Sequence, residues 1–357
     1  MSEDEFSALA RSVKRPSDDA ARAARELHDR LTKPQGSLGH LETIGVQLCA
    51  IARSCPPPVP EPVTIAVFAG DHGVVDAGVT PWPSEVTAQM VANFCAGGAA
   101  INVLARHVKA KVVVVDVGVA SPIPGEWDTL VRRNVARGTA NLAVGPAMTE
   151  EQTSAALAVG VEIAKDAISS GARLLVTGDM GIGNTTPSAA LIAVFAGTPA
   201  ESVTGRGTGI DDAMLQVKTR VIETAIGRLP AGATPLATLA EVGGLEIAAL
   251  VGFIVAGAAA GVPVLIDGVI SVAAAVVASV FAPEVPAYLI AGHRSSEPGA
   301  SVGLSHLGLA PVLDLALRLG EGSGGALAVP IVQAAAKILR EMATFDSAGV
   351  TEKEDSP

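Results

Sequence analysis

Residues 173–187 read Arg173-Leu174-Leu175-Val176-Thr177-Gly178-Asp179-Met180-Gly181-Ile182-Gly183-Asn184-Thr185-Thr186-Pro187. A short apolar run, rich enough in β-forming residues for a strand, gives way to three glycines. A helix then starts at Asn184 or Thr185, with Pro187 in its first turn. A strand that feeds directly into a helix is the repeating unit of a parallel α/β sheet. The glycines permit close backbone approach, and the helix start offers free N–H groups and a positive end, which suits a phosphate. The segment is not a P-loop, since it lacks Gly-Lys-Ser/Thr, and it is not a complete G-x-G-x-x-G. From the pattern alone, a phosphate seat and a plain N-capped strand-to-helix turn both remain open.

Four more short apolar runs share this texture, at residues 63–69, 111–115, 264–266 and 287–290. Each of the five ends in a polar residue beside glycine: Gly70-Asp71-His72, Asp116-Val117-Gly118, Gly178-Asp179, Asp267-Gly268 and Gly292-His293-Arg294. In open α/β sheets, ligands bind beyond the carboxyl ends of the strands. One such turn carries little weight, but five together favour a site along that edge. Helices are expected between the strands. Ser84-Glu85 begins one, Thr149-Glu150-Glu151-Gln152 forms a capping box, and a third runs over residues 211–228. Before the first strand, Ser17-Asp18-Asp19 opens a helix that reaches about Thr32. A second helix, residues 38–53, stops at Cys55-Pro56-Pro57-Pro58.

Composition narrows the function classes. The 357 residues are 49% hydrophobic but hold only seven Phe, two Trp and one Tyr, so the core must be built from Ala, Val, Leu and Ile. Charged residues are 17%, below the ~25% of an average domain, which suggests surface covered by a second subunit. The net charge of −11 and the scarcity of aromatics argue against nucleic-acid binding. Cys49, Cys55 and Cys95 lack metal-ligand spacing, so no metal is expected. The acidic start, Met1-Ser2-Glu3-Asp4-Glu5, is unlike a secretory signal, and the expected location is the cytoplasm. Residues 247–266 carry no charge, yet they are rich in Ala and Gly and contain Pro263. No Lys or Arg lies between Arg228 and Arg294, so the basic flanks of a membrane span are missing. A buried helix, strand and helix are expected there instead.

Two further motifs bear on chemistry. Gly205-Arg206-Gly207-Thr208-Gly209 precedes the helix holding Lys218. It reads either as a flexible loop with a solvated Lys or as a second glycine-rich wall with Lys218 facing a phosphate. Arg318-Leu319-Gly320-Glu321-Gly322-Ser323-Gly324 places one carboxylate among glycines in apolar sequence. Poor solvation there would raise the Glu321 pKa towards that of a useful base. The plain alternative is a cap for a helix over residues 326–342. Asp71-His72 does not read as a charge relay, because sequence neighbours point apart on an extended turn.

At these residues the chain resembles the nicotinate-nucleotide–dimethylbenzimidazole phosphoribosyltransferase family of cobalamin lower-ligand synthesis. The resemblance is carried by Lys33-Pro34-Gln35-Gly36-Ser37-Leu38-Gly39-His40-Leu41-Glu42, Asp71-His72-Gly73-Val74, Gly178 through Pro187, Val242-Gly243-Gly244, and Arg318 through Ser323, in order over residues 20–345. It implies an α/β fold, a parallel sheet flanked by helices in a Rossmann-like large domain, with a small helical domain made from both chain ends. On that division, residues 1–58 and 321–350 belong to the small domain, 59–320 to the large one, and 351–357 form a disordered tail. It further implies a homodimer, no cofactor, and transfer of phosphoribose from nicotinate mononucleotide to 5,6-dimethylbenzimidazole. The family's catalytic Glu falls on Glu321 and its second acid on Asp179. Its phosphate-site residues fall on Gly181, in the loop that also holds Ile182 and Gly183, and on Lys218 and Ser295, and Arg318 matches another position lining the site. Asp179 is one methylene shorter than the Glu expected. Trp82 replaces a small hydroxyl residue at the base pocket, and Gln89 and Met90 are placed slightly differently. A different benzimidazole, a purine or a phenol is therefore an alternative acceptor, and a silent nucleotide-binding protein is the alternative from another class.

Overall fold

The computed structural model describes residues 1–351, and the tail expected from Thr351 lies, past that residue, outside them. Its frame is one sheet of seven strands: β1 (Val63–Gly70), β2 (Lys111–Gly118), β3 (Leu130–Arg132), β4 (Leu174–Met180), β5 (Val264–Ile266), β6 (Leu289–His293) and β7 (Pro311–Leu313). Every neighbouring pair is parallel, in the order β3-β2-β1-β4-β5-β6-β7. The chain builds outward from β1 to β3 and then crosses back to the other side of β1. That reversal opens a crevice between the carboxyl ends of β1 and β4. Phe68 pairs with Asp179 and Ala69 with Met180, so the loops leaving these two strands emerge side by side.

The five expected strands form, with β6 starting at Leu289 because Ala287 belongs to a short 3-10 turn. The edge strands β3 and β7 were not anticipated. Each has only three residues, too short for any period to register.

Three helices precede the sheet: α1 (Glu3–Arg11), α2 (Asp18–Arg30) and α3 (His40–Ala52). The Ser17 side chain caps α2 by accepting from the Ala20 N–H. The unanticipated α1 is closed by a Ser2/Glu5 capping box and rests Phe6 edge-on against Phe281, 5.1 Å between centroids. Then follow α4 (Glu85–Ala96), α5 (Ala100–His107), α6 (Glu150–Ser169), α7 (Thr185–Ala196), α8 (Ala200–Val203), α9 (Asp212–Gly227), α10 (Pro235–Val242), α11 (Leu245–Ala259), α12 (Val269–Phe281), α13 (Pro298–Leu307), α14 (Ser323–Glu341) and α15 (Phe345–Ala348).

Strand alternation sorts side chains onto two faces. Ala66 and Phe68 of β1, Leu175 of β4, and Val264 and Ile266 of β5 join a core under α6, α7, α11 and α12. Ile65 and Val67, Val176, and Leu265 join the opposite core under α3, α4, α5 and α14. The uncharged stretch 247–266 is the buried α11 followed by β5, as expected for a core element. Among the described residues, Glu85–His107 is long and apolar enough to cross a membrane by length and composition, but it is two helices, α4 and α5, with Gly97 in the left-handed region between them. Helices from both chain ends also meet, with Ala20, Ala24, Cys49 and Leu339 clustering between α2, α3 and α14.

Candidate active site

A cavity of about 430 Å³ opens over the carboxyl ends of β4, β5 and β6, within the usual range for a small-molecule site. Its wall includes Asp179, Gly181, Ile182, Gly183, Lys218, Ser295, Arg318, Glu321, Trp82 and Met90. Of the residues named from sequence, only Gln89 stands apart, exposed on α4 and off the cavity wall. The segment Lys33 to Glu42 also lies away from the wall, pinned by a Lys33–Glu42 ion pair of 2.9 Å.

Part of the cavity wall joins a helix start to a buried lysine, an arrangement that suits an anion. The loop Gly181–Ile182–Gly183 leads into α7, and the Asn184 side chain donates to Asp179 Oδ2 at 3.0 Å instead of folding back on its own helix. The helix start therefore faces the cavity without a side-chain cap. Gly183 has φ +90°, and a Cβ on Gly181 would press into the Gly70 carbonyl, so both positions require glycine. Lys218 is not the solvated residue of the plain reading. It is 1% exposed, and its Nζ donates to Thr185 Oγ1 at 2.8 Å and to the Gly205 carbonyl at 3.0 Å. Burial lowers its pKa to about 8, against an opposing pull from Glu297. Glu297 accepts from the Gly207 N–H at 2.7 Å and Arg318 donates to the Gly207 carbonyl at 3.3 Å, which holds the second glycine wall from both sides.

The same wall also carries carboxylates. Glu321 sits in the left-handed region at φ +63° between Gly320 at +83° and Gly322 at +89°. A non-glycine residue there costs on the order of 1–2 kcal/mol, which marks a turn kept for a reason other than backbone comfort. Glu321 does not cap its own helix, whose register begins earlier than expected, at Ser323. Its Oε2 instead accepts from Ile101 N–H at the start of α5, 3.2 Å away. Burial raises the Glu321 pKa, the Ile101 bond opposes this, and the charge on Asp267 adds to the rise. Asp179 is raised well above the ordinary carboxylate range, first by burial and then by the charges of Asp267 and Glu246. Burial and these neighbouring charges favour its protonated form.

Trp82 and Met90 also line the cavity, and Trp82 is 48% exposed. Sequence reasoning missed Glu297, and it saw Asp267 only as one of the polar residues that end a strand. It also missed the pairing of His72 with Glu246, whose Nε2 and Oε1 lie 2.8 Å apart behind the Gly181 loop. The nearest sequence signal was Glu246, a lone charge at the start of an otherwise apolar helix.

The comparisons with known proteins agree with this geometry. A family model described as Phosphoribosyltransferase matches residues 13–350. A protein of Salinispora tropica named nicotinate-nucleotide–dimethylbenzimidazole phosphoribosyltransferase is 54% identical over 353 residues, 95% of this chain and 97% of that one. One of the same name from Geobacter sulfurreducens is 54% identical over 325 residues, covering 91% and 92%. The crystal structure of CobT from Thermus thermophilus superposes with a TM-score of 0.91 at 47% identity, covering 94% of this chain and all of the other. The chain belongs to this phosphoribosyltransferase family, whose similar members carry the name nicotinate-nucleotide–dimethylbenzimidazole phosphoribosyltransferase.

Proposed function

We propose that the protein transfers phosphoribose from nicotinate mononucleotide to 5,6-dimethylbenzimidazole, giving α-ribazole 5′-phosphate and nicotinate. The observation that carries the reading is one cavity whose wall holds the glycine loop before α7, Lys218, Ser295 and Glu321 together. The phosphate binds the α7 start, Lys218 and Ser295, which places C1′ towards the carboxylates. The bond from C1′ to the pyridinium nitrogen breaks, and its electron pair leaves a neutral ring nitrogen on nicotinate. No acid is needed for that departure. The free benzimidazole nitrogen attacks the opposite face, so C1′ inverts from β to α. Attack acidifies the N–H of the other ring nitrogen, and Glu321 takes that proton. Its raised pKa makes it a better base than an exposed carboxylate. Asp179, whose burial favours the protonated form, donates from that form to a lone pair of the bound substrates, and Trp82 and Met90 bound the acceptor. Holding the two reactants in line supplies much of the remaining acceleration.

The same reading makes the enzyme a cytoplasmic homodimer that acts on these small molecules without nucleic acid or membrane. It treats the helices of both chain ends as a small domain beside the sheet. The low charge fraction supports a surface covered by a second subunit, and the relatives' names support the small-molecule substrates.

Incubating the protein with nicotinate mononucleotide and 5,6-dimethylbenzimidazole should yield α-ribazole 5′-phosphate by chromatography. Glu321→Gln keeps the shape but cannot accept the proton, so kcat should fall ~10²–10⁴-fold with nucleotide binding intact. Near-normal turnover in a less stable variant would return Glu321 to a purely structural role at the start of α5. A panel of purines and phenols tests the alternative acceptors.

A further inference from the structure

Asp267 leaves the carboxyl end of β5 with its side chain closed to solvent. Its Oδ1 accepts from the N–H groups of Gly324 at 2.8 Å and Gly325 at 3.0 Å, and its Oδ2 from that of Gly322 at 3.1 Å. These are donors of the first turn of α14, so a carboxylate from mid-chain caps a helix more than fifty residues further on. Three N–H bonds satisfy a charge that burial alone would make costly. The capped turn is the one that carries Glu321 between its two left-handed glycines.

His293, the last residue of β6, completes the arrangement. Its Nε2 lies 3.4 Å from Asp267 Oδ1, and its ring lies against Gly324, where any Cβ would collide with it. Burial pulls the imidazole pKa down, but the Asp267 contact outweighs this, with Asp314 adding to it, and the net direction is upward. The charged and polar groups facing Glu321 are therefore Asp267 from β5, with His293 from β6 behind it, Asp179 from β4 and the Ile101 N–H from α5.

We propose that Asp267 and His293 are positioning residues for Glu321: Asp267 holds the turn that aims its carboxylate, and His293 balances the charge that Asp267 brings beside it. The inference rests on Glu321 being the base. The two partners act on Glu321 with opposite sign. Without Asp267 the negative charge that disfavours ionised Glu321 is gone, which favours its ionised form. Without His293 the Asp267 carboxylate is unopposed and disfavours it.

The test measures kcat and KM for nicotinate mononucleotide against pH in the full chain, for the wild type, Asp267→Asn and His293→Gln, alongside thermal unfolding. In Asp267→Asn an amide N–H replaces one acceptor facing the α14 donors, so the turn loosens. We expect kcat to fall about 10–100-fold there with KM little changed, since loss of near-attack geometry acts on the chemical step. The acid limb of kcat should move down by about 1 pH unit in Asp267→Asn and up by about as much in His293→Gln. Limbs that stay in place, or move the same way, overturn the proposal, as does unchanged kcat in Asp267→Asn. If that variant fails to fold, the direction of the His293→Gln limb decides alone. A wild type that makes no riboside overturns the reading of the enzyme and the dyad's role together. Wild-type turnover with unmoved limbs removes only the dyad.

Discussion

The imidazole Nε2 of His72 lies 2.8 Å from Glu246 Oε1, and neither side chain is exposed to solvent. The pair joins the end of β1 to the first turn of α11, and glycines close round it. A Cβ on Gly70 or on Gly244 would come within 2.9 Å of Glu246 Oε2. The pair thus backs the Gly181 loop without lining the cavity, which makes it a structural support for the anion seat.

Burial alone would lower the His72 pKa, but Glu246 outweighs it and the net direction is upward. A histidine raised in the folded state contributes stability that is present in full below its unfolded pKa. That contribution is lost as pH rises through the higher folded value. His72→Ala should therefore destabilise by about 3–5 kcal/mol, because Glu246 is left charged and unpaired. Replacing both residues by apolar ones of similar volume should recover much of the loss. Denaturant unfolding of single and double variants checks this, and additive losses would mean the pair is not coupled.

Lys218 titrates at about 8 in the free protein, so its charge is partly lost in mildly alkaline solution. KM for nicotinate mononucleotide should rise as pH climbs through 8. Lys218→Ala should lose about 1.5–3 kcal/mol of binding, tenfold to a hundredfold, and flatten that rise. A wild-type KM independent of pH between 7 and 9 would contradict the phosphate role.

Asp179 is an acid raised by burial, the reverse of a salt-bridged carboxylate. Folding then favours the protonated form, so stability is lost as pH rises from the unfolded pKa towards the folded one. Asp179→Asn removes that titration and keeps an oxygen for the Asn184 side chain. At neutral pH it should be at least as stable as the wild type, with the advantage shrinking towards pH 4. It should also retain kcat to within about tenfold, since an amide still donates where the protonated acid does. Thermal unfolding at several pH values, with kcat at pH 7, decides this. A stability deficit that grows with pH would mean that Asp179 is ionised.

Trp82 lines the cavity with about half of its surface in solvent, and on the proposed reading it bounds the acceptor. Its ring can stack on a flat base, and its bulk excludes large substituents. Trp82→Ser should reorder the kcat/KM values of a benzimidazole, purine and phenol panel and leave KM for the nucleotide nearly unchanged. An unaltered order removes Trp82 from acceptor choice.

What the sequence by itself determined here is local. Alternating and continuous apolar runs define five of seven strands, because a pleat of period two and burial on both faces leave a mark in the residues themselves. Ser17, Thr149 and Asp211 mark helix starts, since a cap depends on groups three residues away. The glycine turns after β4 and before α14, with Lys218, Asp179 and Glu321, were legible as chemistry-bearing positions, and most of those named line one cavity. Only the tertiary structure decided where these side chains lie and what they touch. Lys218 is buried because α9 lays it against Thr185 and Gly205. Glu321 meets Ile101 across 220 positions, His72 meets Glu246 across 174, and Asp267 reaches the turn of α14. Such contacts arise when sheet order brings distant strand ends together, and no periodicity or turn rule within a short window records which ends will meet.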